Sequence, residues 1–169
     1  SYIPYLAKEI KNQDITSDFL TKKDDYNFLK VDNNQVLESV KKVCELSIKK
    51  GLTDKDIQVL APIYKGINGI DNLNNQLRDL FNPKDETKKE IKVGEIIYRV
   101  GDKVLQLVND PERGIYNGDI GYIRSIVSVN NTKTLNVNID FDGNMVSLTM
   151  SEMLNIRLAY AISIHKAQG

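Results

Sequence analysis

Apolar positions along this chain fall into short runs, and their spacing changes period once, near residue 90. Ile3, Leu6, Ala7 and Ile10 share one face of a helix, so the spacing predicts a short helix over residues 2–11, with Pro4 tolerated in its first turn. Residues 12–23 are polar and read as loop. Tyr26–Val31 reads as a strand, and Asp32 or Asn33 can cap the helix after it. From Gln35 to Lys50, the set Val36, Leu37, Val40, Val43, Cys44, Leu46 and Ile48 recurs largely at helical spacing, and Gly51 is a natural stop. Asp56–Pro62 is a short apolar strand ended by proline, and Leu73, Leu77, Leu80 and Phe81 mark a second helix closed by Asn82-Pro83. Strand, helix, strand, helix with short connections predicts parallel βαβ packing.

Beyond the charged run Lys84–Lys89, β-branched residues and alternation take over from Val93 to Leu148. Strands are predicted at Lys103–Val108, Asp119–Val129, Thr134–Phe141 and Met145–Thr149, with turns at Asn109–Gly118, Asn130-Asn131 and Asp142-Gly143. Several short strands in so brief a stretch predict a small barrel. One helical turn over Met150–Asn155 then leads to a strand of α/β character at Leu158–Ile162, so the barrel reads as an insertion. The expected organisation is an α/β layer over 1–91, an inserted barrel over 92–150, and a return to the layer over 151–169.

Composition narrows the class. Twenty-three basic residues balance 23 acidic ones, which counts against a dedicated nucleic-acid module. It does not count against part of an enzyme that holds a single strand by stacking while other domains supply charge. Cys44 has no partner for an internal disulfide and reads as buried filler in the first long helix. No apolar run reaches the ~20 residues of a membrane span, and no signal-peptide pattern opens the sequence. A cytoplasmic setting without membrane attachment is the expectation.

Four stretches carry candidate chemistry. In the last, Leu158–Gly169, an apolar strand turns polar, and Ser163 is placed to cap a helix opening toward His165, Lys166 and Gln168. The chain stops at Gly169 in the first turn of that helix, so a fragment of a longer protein is expected. The second stretch holds Gly101-Asp102-Lys103-Val104, and the third Asn117-Gly118-Asp119-Ile120-Gly121, where the glycines permit positive φ or close backbone approach. Between them Asn109, Arg113, Tyr116 and Asn117 gather on one loop and offer donors and a stacking ring to a nucleic-acid strand. A plain hairpin turn at Asn117-Gly118, with Tyr116 as core edge, explains the same residues. Residues 92–150 carry one more acidic than basic side chain, so a broad electrostatic contact with DNA is not expected there. In the fourth stretch, Val59–Gly69, a loop leaves the carboxyl end of a strand, where α/β folds place ligands. Tyr64, Lys65 and Asn68 are its candidates to face DNA or nucleotide; an ordinary strand-to-helix loop is the alternative. No Gly-Lys-Ser/Thr occurs, which excludes a P-loop in this chain. One histidine and one cysteine supply too few characteristic metal ligands, and no nucleophile elbow is present.

In this order the four stretches resemble the RecD-like DNA helicases of superfamily 1, the exonuclease V alpha-subunit and TraA type. The strand followed by Ser163-Ile164-His165-Lys166-Ala167-Gln168-Gly169 is similar to their motif V, with Ser163 for threonine and Ala167 for serine. Leu73-Asn74-Asn75-Gln76-Leu77 and the closing Asn82-Pro83 fit the same pattern. The resemblance implies an incomplete RecA-like (P-loop NTPase-type) parallel layer, part of a second motor domain, carrying an inserted SH3-like β-barrel. It implies a parent that is an ATP-dependent helicase moving 5′ to 3′ on single-stranded DNA, using ATP and Mg, with repair or recombination partners unidentified. It gives DNA contact to Tyr64, Lys65, Asn109, Arg113, Tyr116, Asn117, His165 and Lys166, and places Gln168 and Gly169 toward the nucleotide. The family's Walker motifs lie upstream and its arginine finger downstream. No catalytic residue is therefore expected in this chain, and no ATP bound by it alone. A non-catalytic DNA- or protein-binding barrel, or part of a conjugative relaxase–helicase, are the other readings.

Overall fold

The computed structural model describes residues 3–10, 27–31, 36–61 and 69–163, with side chains described from residue 37 onward. The chain divides into two compact units: Ser1–Phe81 with Tyr160–Gly169, and Asn82–Ala159.

The first unit is built on a parallel sheet. Its strands are β1 (Ile3–Ile10), β2 (Asn27–Val31), β3 (Ile57–Ala61) and β11 (Ala161–Ser163), in the order β11-β3-β1-β2. Each adjacent pair runs parallel. Helix α1 (Val36–Lys49) joins β2 to β3, and helix α2 (Ile70–Phe81) follows β3. Along α1, Val40, Val43, Cys44 and Ser47 are buried, the i, i+3, i+4, i+7 stripe of a helix docked on one side. The buried Ser47 hydroxyl donates to Val43 O at 2.8 Å, so it costs little. The helix ends in a Schellman motif: Leu52 N donates to Ser47 O, Gly51 N donates to Ile48 O, and Gly51 takes φ +88°.

Residues 3–10 correct the sequence reading, because they form a strand in the middle of the sheet rather than a helix. The run Ile3-Pro4-Tyr5-Leu6-Ala7 is nearly continuous in apolar character, and a strand flanked on both sides gives the same signal as one buried helical turn. The strand expected at Leu158–Ile162 also divides. Its first part belongs to β10 (Ile156–Leu158) of the second unit, and β11 begins at Ala161.

The second unit lies between α2 and β11 in chain order. It opens with a hairpin of β4 (Glu90–Val93) and β5 (Ile96–Arg99), turned at Gly94 with φ +61°. Then come β6 (Lys103–Gln106), β7 (Ile120–Ser128), β8 (Leu135–Phe141), β9 (Asn144–Thr149), a 3-10 turn over Glu152–Asn155, and β10. They form an antiparallel sheet in the order β10-β6-β7-β8-β9. Alternation decides which face is core: Val137, Ile139 and Phe141 point inward from β8, while Asn136, Asn138 and Asp140 are part-exposed. A register shift between Ile123 and Ser125 bends β7 at Arg124. Among the described residues the sheet stays open at β9 and β10, so the closed barrel expected from sequence is instead a five-stranded sheet with a separate hairpin. The buried Tyr98 on β5 donates its hydroxyl to Ile156 O at 2.9 Å, which ties the hairpin to β10.

Candidate nucleic-acid interface

The loop between β6 and β7 brings Asn109, Arg113, Tyr116 and Asn117 together, as the sequence predicts. Its frame is backbone: Asp110 and Ile115 bridge as an antiparallel pair, Gly118 N donates to Gln106 O, and Gln106 N donates to Asp119 O. Ile115 is fully buried and anchors the loop, while its neighbour Tyr116 is 48% exposed. Asp119 accepts from Tyr116 N at 2.8 Å, and Asn109 Oδ1 accepts from Asn117 N at 3.0 Å. The ring therefore stands on a preformed turn, which lowers the ordering cost of stacking a base on it. At the base of the loop Gln106 is buried. Its Nε2 donates to Val108 O at 3.0 Å, while Oε1 has no hydrogen-bond partner among the described residues.

Arg113 sits differently from the expectation of a donor turned to a strand. Its Nη1 meets Asp110 Oδ2 at 2.7 Å and also pairs with Glu152 Oε2. Both carboxylates hold the guanidinium above its usual pKa, Asp110 first. The trio carries net negative charge, so this cation is not presented alone to a phosphate. Glu152 is held on its other side by Thr149: Glu152 Oε1 accepts from Thr149 N at 3.0 Å, and Thr149 Oγ1 accepts from Glu152 N at 3.3 Å, a reciprocal pair of the capping-box kind. The Thr149 amide first, then its hydroxyl and Arg113, lower the Glu152 pKa from its ordinary 4.5. A carboxylate depressed on folding contributes stability above its unfolded pKa, and this is lost as pH falls through the folded value. Glu152→Gln should therefore narrow the difference in urea midpoint between pH 7 and about pH 3. An unchanged difference would count against the Glu152 contacts.

The Gly101-Asp102 stretch has a structural role. Asp102 is fully buried; Oδ2 accepts from Arg99 N at 2.7 Å and Oδ1 from Asn82 Nδ2 at 2.9 Å. Asn82 is the hub. It also donates to Val100 O, accepts Lys88 Nζ at 2.7 Å on Oδ1, and accepts Arg99 Nη1 at 2.6 Å on its carbonyl. Arg99 Nε completes the network on Glu90 Oε2 at 2.6 Å. Gly101 has φ +95°, and a Cβ there would lie 3.0 Å from Asn82 Oδ1.

In the first unit, β3 and β11 are adjacent and parallel, with Ser163 in register with Ala61. Residues 62–68 and 164–169 thus follow in sequence from the carboxyl ends of neighbouring strands, where parallel sheets bind ligands. Tyr64, Lys65 and Asn68 of one segment, and His165, Lys166, Gln168 and Gly169 of the other, lie outside the described residues. The strand and helix that flank them in sequence are described. Asn74 on α2 donates from Nδ2 to Ala161 O at 2.9 Å and accepts from Ala161 N at 2.8 Å on Oδ1, while Leu73 and Leu77 beside it are fully buried. The Phe81 and Tyr160 rings stack at 5.9 Å.

Comparison with known proteins bears on both halves of this arrangement. The family model of the ATP-dependent RecD-like DNA helicase SH3 domain matches residues 73–141. The chain carries the RecD-like helicase SH3 domain. It is 40% identical to the ATP-dependent RecD2 DNA helicase of Deinococcus radiodurans over 113 residues, 67% of this chain and 14% of that protein. It is 26% identical to the RecBCD enzyme subunit RecD of Buchnera aphidicola subsp. Schizaphis graminum over 118 residues, 69% of this chain and 19% of that one. The crystal structure of Bacteroides Pif1 bound to ssDNA aligns with 56% of this chain and 29% of its own, at 19% identity and a TM-score of 0.32, too slight a superposition to bear on fold. The chain thus spans under a fifth of the length of these curated relatives. The RecD-like match runs from α2 through β8, so it takes in the Asn82–Asp102 network and the whole Tyr116 loop; β9, the 3-10 turn and β10 lie past its end. The sequence holds no Gly-Lys-Ser/Thr phosphate-cradling motif, and among the described residues no three His, Cys, Asp or Glu side chains group as metal ligands. Among them, too, no helix is long and apolar enough to cross a membrane.

Proposed function

We propose that this chain is part of the second, RecA-like motor domain of an ATP-dependent DNA helicase, and that it supplies DNA-contact and motor-coupling elements rather than the hydrolytic centre. The observation that carries the reading is the RecD-like SH3 match, which begins within α2 and lies, in chain order, between β3 and β11 of a parallel sheet. The parent translocates 5′ to 3′ on single-stranded DNA in a cytoplasmic setting, binding ATP and Mg through segments outside this chain, and this stretch alone does not turn over ATP. Tyr116 and Asn117 on the β6–β7 loop, with Tyr64, Lys65, His165 and Lys166 beyond the parallel strands, touch DNA; Gln168 and Gly169 face the nucleotide.

Polarity tests the reading. The full-length parent with ATP should unwind a duplex bearing a 5′ single-stranded tail and leave its 3′-tailed counterpart intact; the reverse preference, or no unwinding of either, would refute it. A narrower expectation concerns stacking. Tyr116→Ala in the parent should weaken binding of a short oligothymidylate by about 1–3 kcal/mol, read by fluorescence anisotropy, with little change in melting temperature because the ring is half exposed. Unchanged affinity would remove Tyr116 from the interface.

A further inference from the structure

We infer that Asn74 is a positioning residue for β11, through which helix α2 fixes the strand that precedes His165 and Lys166 in sequence; the inference rests on the motor reading above. Asn74 is only 2% exposed yet is a poor helix former, and a buried amide is costly unless fully bonded. Packing alone would favour an apolar residue between Leu73 and Leu77. Instead the amide is spent on backbone, giving one bond to each polar group of Ala161, at 2.9 and 2.8 Å. Val59 N donates to Tyr160 O, and Ala161 is in register with Val59, so the two groups taken by Asn74 point away from β3. Asn74 therefore serves β11 as a neighbouring strand would, on its outer side. Just before the strand begins, the same helix grips the chain again, because Phe81 stacks on the buried Tyr160. Gln58 Nε2 adds a bond to Tyr160 O at 3.3 Å. Asn74 and Phe81 are two helical turns apart on one face of α2, so a rigid helix grips the first residue of β11 and the residue just before it.

A side-chain amide bonding both groups of one residue sets that residue's position along the strand axis as well as its distance. Loss of that hold lets β11 slip against β3, and His165 and Lys166 follow β11 in sequence. Misplacement by about 1 Å far from a reacting group is enough to cost two orders of magnitude in rate. Asn74 acts through Ala161 and touches neither DNA nor nucleotide in this account.

The test uses the full-length parent, with ATP turnover titrated against oligothymidylate at a temperature where each variant is folded by circular dichroism. Asn74→Ala should raise the DNA concentration for half-maximal stimulation about tenfold or more. Leu77→Ala, which empties a fully buried site on the same helix and leaves the Asn74 hydrogen bonds in place, loses comparable stability and should leave that concentration near wild type. Asn74→Asp keeps the acceptor for Ala161 N but sets an oxygen against Ala161 O, and should reproduce the Asn74→Ala shift. The inference is overturned if a folded Asn74 variant keeps the wild-type DNA response, if Leu77→Ala shifts it equally, or if neither Asn74 variant folds, which would make the role purely structural. A wild-type parent without DNA-stimulated turnover sinks the motor reading itself; a stimulated wild type with an unshifted variant sinks only the role of Asn74.

Discussion

Asp102→Ala lowers the unfolding free energy by about 3 kcal/mol, and the melting temperature by roughly 6–12 °C. The carboxylate has no exposure, and its two oxygens take the Arg99 amide and the Asn82 side chain. Without it, two buried donors lose their acceptor, and the Arg99–Glu90 pair loses the turn that aims it. Asp102→Asn should recover little. One end of the amide would meet a donor with a donor, at Arg99 N or at Asn82 Nδ2. Exposed Glu86 in the nearby charged run is the contrast: Glu86→Ala stays within about 0.5 kcal/mol. Urea unfolding at pH 7 checks both, and a loss below about 1 kcal/mol for Asp102→Ala would show that the network contributes less than its burial implies.

Gly121→Val is the second large loss, about 3 kcal/mol, with Gly121→Ala near 2. The cause is volume and not backbone strain. A Cβ at this position would lie 2.7 Å from Ile139 Cγ2 and 2.9 Å from two Phe141 ring carbons. Ile139 and Phe141 are buried on the neighbouring strand β8, so neither can retreat cheaply. Combining Gly121→Ala with Phe141→Leu should return part of the loss, because the shorter side chain relieves the close approach. Purely additive losses in that double-mutant cycle would count against overpacking.

These two residues show which parts of the molecule its sequence discloses. Strands β8 and β9, α1 and α2 are legible because each presents one face to a core, and Val137, Ile139 and Phe141 or Val40, Val43 and Cys44 record that face at the right period. β1 is misread because Ile3, Leu6, Ala7 and Ile10 satisfy a helical stripe inside a run that a flanked strand also accepts; the partners that decide, β2 and β3, are distant in sequence. The β4–β5 hairpin is missed because Glu90-Ile91-Lys92-Val93 follows a charged run and is too short to show alternation clearly. Gly94-Glu95 is its one available turn signal.

The candidate site divides in the same way. The Tyr116 loop is local, so its clustering is readable from spacing. The Asn82–Arg99–Asp102 network joins residues up to 20 apart, and only the positive φ demanded of Gly101 hints at it. Asn74 and Ala161 are 87 residues apart, with the whole second unit between them in the chain, and nothing short-range announces that pair. The Thr149-Met150-Ser151-Glu152 capping pattern is open to a sequence reading and explains why Arg113 finds Glu152 already in place.

The most direct measurement is ATP hydrolysis by the full-length parent, with and without single-stranded DNA. Strong stimulation by the strand, with no turnover from this chain alone, is the result the motor account predicts. A folded parent that hydrolyses no ATP under either condition would contradict it, and would leave the Tyr116 loop as part of a docking module.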